Sequence, residues 1–244
     1  MLLHPIGLDL TFFDPLVELL APSCHILRID SPGHGESPAL PGTPSLKDYA
    51  NAIHGLLQHL QFAPATLAGF SFGGMLAQVL ALDYPQDVEA LSPCACPSTL
   101  ESAGRKAMAD RGALALEKGM PAVLEPTLQR WFTPEFRARG GDALARESLL
   151  TDDPRSWAQA WGAISQLETM PRLAEIKVPT LCIAGEADPA APPEVVKTIA
   201  DAIPGAQFAV IPGGSHMFFI EQPEAVAKAI RDFLAATRSA IRRP

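Results

Sequence analysis

Residues Pro64–Tyr84 read PATLAGFSFGGMLAQVLALDY. Ala65–Ala68 is a short apolar strand, Gly69-Phe70-Ser71-Phe72-Gly73 a tight turn, and the residues after it a helix that Pro85 ends. Met75, Val79 and Leu82 recur at helical spacing and predict its buried face. A Gly-x-Ser-x-Gly turn between a strand and a helix is a nucleophile elbow. A serine on a sharp, strained turn projects its hydroxyl clear of the sheet, and glycines two residues to either side leave no Cβ where strand and helix close up. The helix N-terminus then directs free N–H groups and a positive dipole end at the serine. The bare pattern occurs by chance in roughly 7% of chains of this composition, so its weight comes from the flanking strand and helix.

The rest of the composition narrows the field. The 244 residues, 48% of them hydrophobic, predict one domain with a large core and room for an insertion. A net charge of −8 argues against nucleic acid or an anionic membrane as partner. No apolar run reaches the ~20 residues a membrane helix needs, and Met1-Leu2-Leu3-His4 does not read as a signal peptide. Cys24, Cys94, Cys96 and Cys182 lie in or beside strand-like runs, the usage of buried thiols in a reducing compartment, which predicts a cytoplasmic protein. Cys94-Ala95-Cys96 has neither redox nor zinc spacing, and no His/Asp/Glu cluster has metal spacing, so neither metal nor cofactor is expected.

In chain order, Leu2-Leu3 ends a strand and His4–Asp9 forms a turn. A helix follows over Phe12–Leu20, then a strand over Cys24–Asp30 and a tight loop over Ser31–Ser37. Ser45–Leu60 is an amphipathic helix, and Val88–Cys94 the next strand. Strands alternating with helices predict an α/β fold, a mostly parallel sheet covered on both faces. From Pro97 to Arg172 the strands stop. Ser102–Lys118, Ala122–Phe132, Pro134–Arg139, Ala143–Leu150 and Trp157–Leu167 all read as helices. Residues 97–172 are therefore expected to form a helical cap over the C-terminal edge of the sheet, and 1–96 with 173–244 the core. Alternation resumes with a strand at Val178–Ala184, a helix at Glu194–Ala202, a strand at Gln207–Ile211 and a helix at Pro223–Ser239.

Two late loops supply partners for Ser71. Gly185-Glu186-Ala187-Asp188-Pro189 follows one strand and presents an acid; Gly213-Gly214-Ser215-His216-Met217 follows the next and presents a histidine. Serine, histidine and acid together suit acyl transfer: the histidine takes the serine proton and later protonates the leaving group, while the acid fixes its tautomer. Either Glu186 or Asp188 is within the loop's reach.

Over its whole length the chain resembles the α/β-hydrolase superfamily, and within it the 3-oxoadipate enol-lactonases and small carboxylesterases. LLHPIGLD is similar to the oxyanion loop, DSPGHGES to the Asp-x-x-Gly-x-Gly-x-Ser loop, GFSFGG to the elbow, GEADPAAPPE to the acid loop and GGSHMFFIEQPEAV to the histidine loop. GMPAVLEPTLQRWFTPEFRA carries the enol-lactonase likeness. The resemblance implies a nucleophile at Ser71, an acid at Asp188, a base at His216, and an oxyanion hole made by the backbone N–H groups of Ile6 and Phe72. Pro5 stands where such sequences have glycine, and it lacks an N–H, but the implied donor is Ile6. Such proteins also carry an antiparallel strand pair ahead of the oxyanion loop. Only Met1-Leu2-Leu3 precede His4 here, so a long apolar edge at Cys24–Asp30 is expected, covered by upstream residues of a longer reading frame or by a second copy of the chain.

The expected activity is cofactor-free, serine-dependent hydrolysis of a small ester or lactone. Haloperoxidase or carbon–carbon bond hydrolase chemistry, or a low-turnover ligand receptor, are the alternatives. Serine rather than aspartate at the elbow argues against dehalogenase and epoxide-hydrolase chemistry. Trp131, Phe132, Trp157 and Trp161 are candidates to wall an acyl pocket. Arg130, with Arg137 and Arg155, is a candidate for a substrate carboxylate. His4 and His34 are expected to hydrogen-bond within their own loops, and His25, His54 and His59 to play no chemical part.

Overall fold

A computed structural model describes residues 1–241 of the chain, with the side chains of 238–241 left aside. Six strands form one sheet in the order β2-β1-β3-β4-β5-β6: β1 (Leu2–Leu3), β2 (Arg28–Ile29), β3 (Ala65–Phe70), β4 (Val88–Cys94), β5 (Leu181–Gly185) and β6 (Gln207–Ile211). Every pairing in it is parallel. Parallel strands need crossovers, and helices supply them, α1 (Asp14–Leu20), α2 (Leu46–His59), α3 (Phe72–Asp83) and α9 (Pro193–Ala202), while α11 (Pro223–Ile241) follows the last strand. Helices α2 and α3 pack on one another, as do α1 and α11, so the sheet is covered on both faces. β3, β4 and β5 are correspondingly buried, and read as continuous apolar runs.

Local sequence explains most of the boundaries. Ser45 caps α2 with a reciprocal bond to Asp48, which satisfies two of the four N–H groups a helix start leaves open. Pro15, Pro121, Pro134 and Pro154 stand in the first turns of their helices, where proline has no N–H to lose. Some expectations change. The helix foreseen at Phe12–Leu20 is a 3-10 turn at Leu10–Phe13 followed by α1. The strand foreseen at Cys24–Asp30 contracts to Arg28–Ile29, because only Leu2-Leu3 lies beside it, and the apolar edge is two ladder residues long.

Helix α3 differs from its reading as an amphipathic helix. It is buried on all sides from Phe72 to Leu82, held between the sheet, α2 and the two ends of the helical block. Gln78, its buried polar residue, is fully engaged. Its amide N–H donates to the Pro97 carbonyl at 3.0 Å, and its oxygen accepts from Thr169 Oγ1 at 2.6 Å.

The block between β4 and β5 comprises α4 (Ser102–Lys118), α5 (Pro121–Trp131), α6 (Pro134–Ala138), α7 (Ala143–Thr151) and α8 (Pro154–Ile164). Its two ends meet at a narrow neck, where Thr99 bridges Glu168 and the Thr169 N–H donates to the Ser98 carbonyl at 2.8 Å. Within the block α4 and α8 pack face to face, with Gly112 admitting the backbone of Ala158. The turn from α7 to α8 rests on the N-terminal loop. Gly7 adopts φ +72, and a Cβ there would lie 2.6 Å from Trp157 and 3.2 Å from Asp152.

Asp152 generates a stability prediction. Burial, and after it the negative charges of Asp9 and Asp153, push its pKa up to about 7. The folded protein then holds this proton from about pH 4 to pH 7 while the unfolded chain has released it, so the contribution of Asp152 to stability falls as pH rises through that window. Asp152→Asn removes the buried charge at similar size. Thermal unfolding should show a gain in melting temperature at about pH 8 and little change at about pH 4. Equal shifts at both pH values would contradict the assignment.

Candidate active site

Ser71 stands between β3 and α3 with φ 53 and ψ −113, a left-handed backbone that a non-glycine residue adopts only when its surroundings impose it. They do so by contact. A Cβ on Gly69 would come within 2.1 Å of the Gly73 carbonyl oxygen, and one on Gly73 within 2.2 Å of that of Leu3. The turn is tied down by the Ser71 N–H donating to the Cys94 carbonyl and the Gly73 N–H to that of His4.

The acid and histidine loops converge on this serine. His216 Nε2 lies 2.9 Å from Ser71 Oγ, and His216 Nδ1 lies 2.8 Å from Asp188 Oδ2. A carboxylate only accepts, so Nδ1 carries the proton and Nε2 accepts from the serine hydroxyl. The second Asp188 oxygen accepts the N–H groups of Ala190 and Ala191 at 2.7 and 3.0 Å. Burial raises the Asp188 pKa, but the electrostatic attraction and hydrogen bond of the His216 ring, with these two N–H donors, outweigh it and hold the carboxyl below its ordinary value. Asp188 therefore stays ionised. Glu186 points elsewhere, accepting the Gly213 N–H at 2.8 Å. Of the two acids in the loop, it is Asp188 that faces His216.

The implied oxyanion donors flank the serine. Phe72 is the first residue of α3, where backbone N–H groups have no partner within the helix. Ile6 lines the cavity beside Ser71, and its N–H has no acceptor among the described residues. Pro5 leaves this donor intact: its carbonyl accepts from His4 Nδ1 at 2.7 Å, while His4 Nε2 accepts the Ser31 N–H. Burial pushes the His4 pKa down, as it does for the neighbouring His34, which falls to about 3. Both rings are neutral supports of their loops, as the sequence suggested.

A cavity of about 200 Å³ opens over Ser71 at the C-terminal edge of the sheet. Its walls include Met75, Met108, Trp131, Trp161 and Ile164, with Arg111 and Arg130. Trp131, Trp161 and Arg130 are thus among the residues that line it. Phe132 is not. It is buried beside the cavity and stacks on Phe136, because α5 ends at Trp131 and the chain turns away. Trp157 packs against Trp161 behind the wall. Arg137 is committed to Glu125 and Asp142, and Arg155 does not reach the cavity. A larger cleft of about 500 Å³, lined by Met1, His25 and Phe62, lies at the N-terminal ends of the strands and offers no hydrogen-bonded nucleophile and base.

Arg111 is the functional candidate the sequence reading missed. Its guanidinium lies 4.9 Å from the centre of the Trp161 ring and donates to Met108 Sδ. Burial, and then the charge of Arg130, push its pKa down to about 10. Among the described residues neither Arg111 nor Arg130 has an acidic partner, although Arg105, Arg137 and Arg146 in the same block all do. The signal was present in α4: Met108, Arg111 and Ala115 recur at helical spacing on its inner face, and a charge on such a face calls for a partner. No group of three or more His, Cys, Asp or Glu able to hold a metal exists among the described residues. Cys94, Cys96 and Cys182 are buried free thiols, and no described helix is long and apolar enough to cross a membrane.

Known proteins are similar to this chain over nearly its whole length. The 3-oxoadipate enol-lactonase 2 of Acinetobacter baylyi is 27% identical over 236 residues, which cover 93% of this chain and 85% of that one. The crystal structure of the enol-lactonase from Burkholderia xenovorans superposes with a TM-score of 0.91 at 31% identity, covering 96% of this chain and 90% of that one. A thermophilic esterase from Thermogutta terrifontis superposes equally well, TM-score 0.91 at 26% identity, over 97% of this chain and 89% of its own. The sequence pattern of the alpha/beta hydrolase family matches residues 1–229, and the chain belongs to that family.

Proposed function

We propose that this protein hydrolyses a small carboxylic ester or lactone through an acyl-enzyme on Ser71, with residues 97–172 acting as the cap over the site. The observation that carries the reading is the hydrogen-bonded line from Ser71 Oγ through His216 to an ionised Asp188, beneath a cavity whose lining includes Met75, Met108, Trp131, Trp161 and Ile164. In the first step Ser71 Oγ attacks the carbonyl carbon and its proton passes to His216 Nε2. The carbonyl electron pair becomes an oxyanion, held by the Ile6 and Phe72 N–H groups. Collapse breaks the C–O bond, and the leaving oxygen takes the proton from His216. Water, deprotonated by the same nitrogen, then attacks the acyl carbon, releasing the acid and restoring Ser71. Asp188 stabilises the imidazolium in both steps without itself being protonated.

A fluorophosphonate probe is expected to label Ser71 alone, and Ser71→Ala to lower kcat by at least ~10³-fold. Labelling elsewhere, or an active alanine variant, would refute the assignment. Sustained turnover of a chromogenic ester would also separate an enzyme from a receptor, which acylates once or not at all.

The choice of acid is tested in the same assay. Asp188→Asn should cost orders of magnitude in kcat, because the histidine loses its tautomer control. Glu186→Gln, away from the ring, should stay within about threefold. The opposite ranking would mean that the loop works in another conformation.

Within this class the unpaired arginines favour a substrate bearing a carboxylate, such as the enol-lactone for which the curated relatives are named. Arg111, half-buried with no counter-ion among the described residues, gains from a ligand anion, and the exposed Arg130 beside it adds a second positive charge. Among the described residues Glu101 is the one carboxylate lining the cavity, and it pairs with neither arginine. The apolar walls favour a neutral aryl ester instead, so kcat/KM for the two should be compared at similar size. The carboxylated lactone is expected to lead by ~100-fold or more, and Arg111→Ala or Arg130→Ala to remove at least ~tenfold of that lead. Equal hydrolysis of the neutral ester by the unmodified protein would leave a broad esterase.

A further inference from the structure

Glu221, at the end of a short helix α10 (Phe218–Glu221), takes no part in the steps above, yet its carboxylate joins the histidine loop to the helical block. Its Oε1 accepts the Ser215 hydroxyl at 2.9 Å and the Thr133 backbone N–H at 2.8 Å. Its Oε2 accepts the Thr133 hydroxyl at 3.0 Å. That hydroxyl also accepts the Phe136 N–H, so the group that meets Glu221 starts α6. Beside this cluster the Met217 N–H donates to the Trp131 carbonyl at 3.0 Å. The two stretches so joined are Arg130–Thr133, whose first two residues wall the cavity, and Ser215–Glu221, which contains His216. The main-chain bond alone would be a pivot. Glu221 adds a second attachment point, made by three hydrogen bonds that converge on one carboxylate.

We propose that Glu221 is a positioning residue that sets the separation between the Arg130–Trp131 wall and the Ser71–His216 pair. The proposal rests on the ester or lactone reading of the site. It assigns Glu221 to the binding of substrates long enough to span from the serine to that wall, and not to the chemical step.

The test compares the unmodified protein with Glu221→Ala, Glu221→Gln, Thr133→Val and the Glu221→Ala/Thr133→Val pair. Three rates are measured: Ser71 labelling by a small methyl fluorophosphonate, turnover of a short acetate ester, and turnover of a bulky aryl ester. Glu221→Ala is expected to raise KM for the aryl ester by ~tenfold or more, leaving labelling and the acetate KM within about threefold. Glutamine keeps the Oε1 bonds and should fall between. Thr133→Val should add less in the alanine background than alone, since both remove the same attachment. If the alanine variant does not fold, the glutamine and valine variants carry the same comparison. Slower labelling and lower kcat with KM unchanged would overturn the proposal, making Glu221 a support for His216 itself. Unchanged KM in every variant would also overturn it. A native protein that is not labelled at Ser71 would overturn the acyl-enzyme reading and this proposal with it.

Discussion

The close approach of β1, β3 and α3 at the elbow is the constraint from which the site follows. Gly69, Gly73 and Gly74 each stand where a methyl group would meet backbone or a buried thiol at 2.1 to 2.7 Å. The chain can turn from strand into helix there only within one backbone's thickness, and Ser71 takes up the strain with a positive φ. That strain aims the hydroxyl out of the C-terminal edge of the sheet. It also sets the first N–H groups of α3 beside it, and docks the His4 loop against Gly73. A looser packing would free the serine to relax, and Ser71, the first N–H groups of α3 and the His4 loop would lose their common origin.

Electrostatics is arranged around this fixed point. Asp188 is nearly fully buried, a placement that by itself favours the protonated acid, and three N–H donors hold it ionised against that tendency. His4 and His34 illustrate the opposite outcome: without an acidic partner, burial leaves them neutral. The same rule gives the two cavity arginines their interest. Guanidinium groups cannot shed their charge, so Arg111 shelters over the Trp161 ring and faces Arg130 without a counter-ion.

The helical block is joined to the sheet by more than its neck. The neck at Ser98 and Thr169 is continuous with buried α3 through Gln78. On the other side of the cavity, Glu221 and Met217 hold Thr133 and Trp131. Ser148 donates to the Gly7 carbonyl, adding a contact with the N-terminal loop. The cavity is thus bounded by elements that are each fixed to a loop of the site, which suits a pocket whose shape must be kept while its mouth admits substrate.

The sequence by itself determined the elements and the chemistry carried within single motifs. β4 and β6 fall where their apolar runs lie, α2 where its Ser45 cap and helical period lie, and Ser71 was legible because its turn glycines are a local requirement. Asp188 and His216 were legible as loop residues following strands. Their 2.8 and 2.9 Å contacts are not local, since Asp188 lies 117 residues beyond Ser71 and only the parallel sheet brings their loops to one edge. Residue type and spacing left Glu186 and Asp188 both within reach, the family resemblance pointed to Asp188, and the tertiary structure turns Asp188 to the ring and Glu186 to Gly213. It also decided the pocket. Phe132 and Trp131 are adjacent in sequence, yet the end of α5 sends one into the cavity wall and the other against Phe136. Arg111 was only half legible for the same reason: its spacing in α4 puts a charge on the inner face, but whether that charge is paired depends on what α8 and α5 bring opposite it.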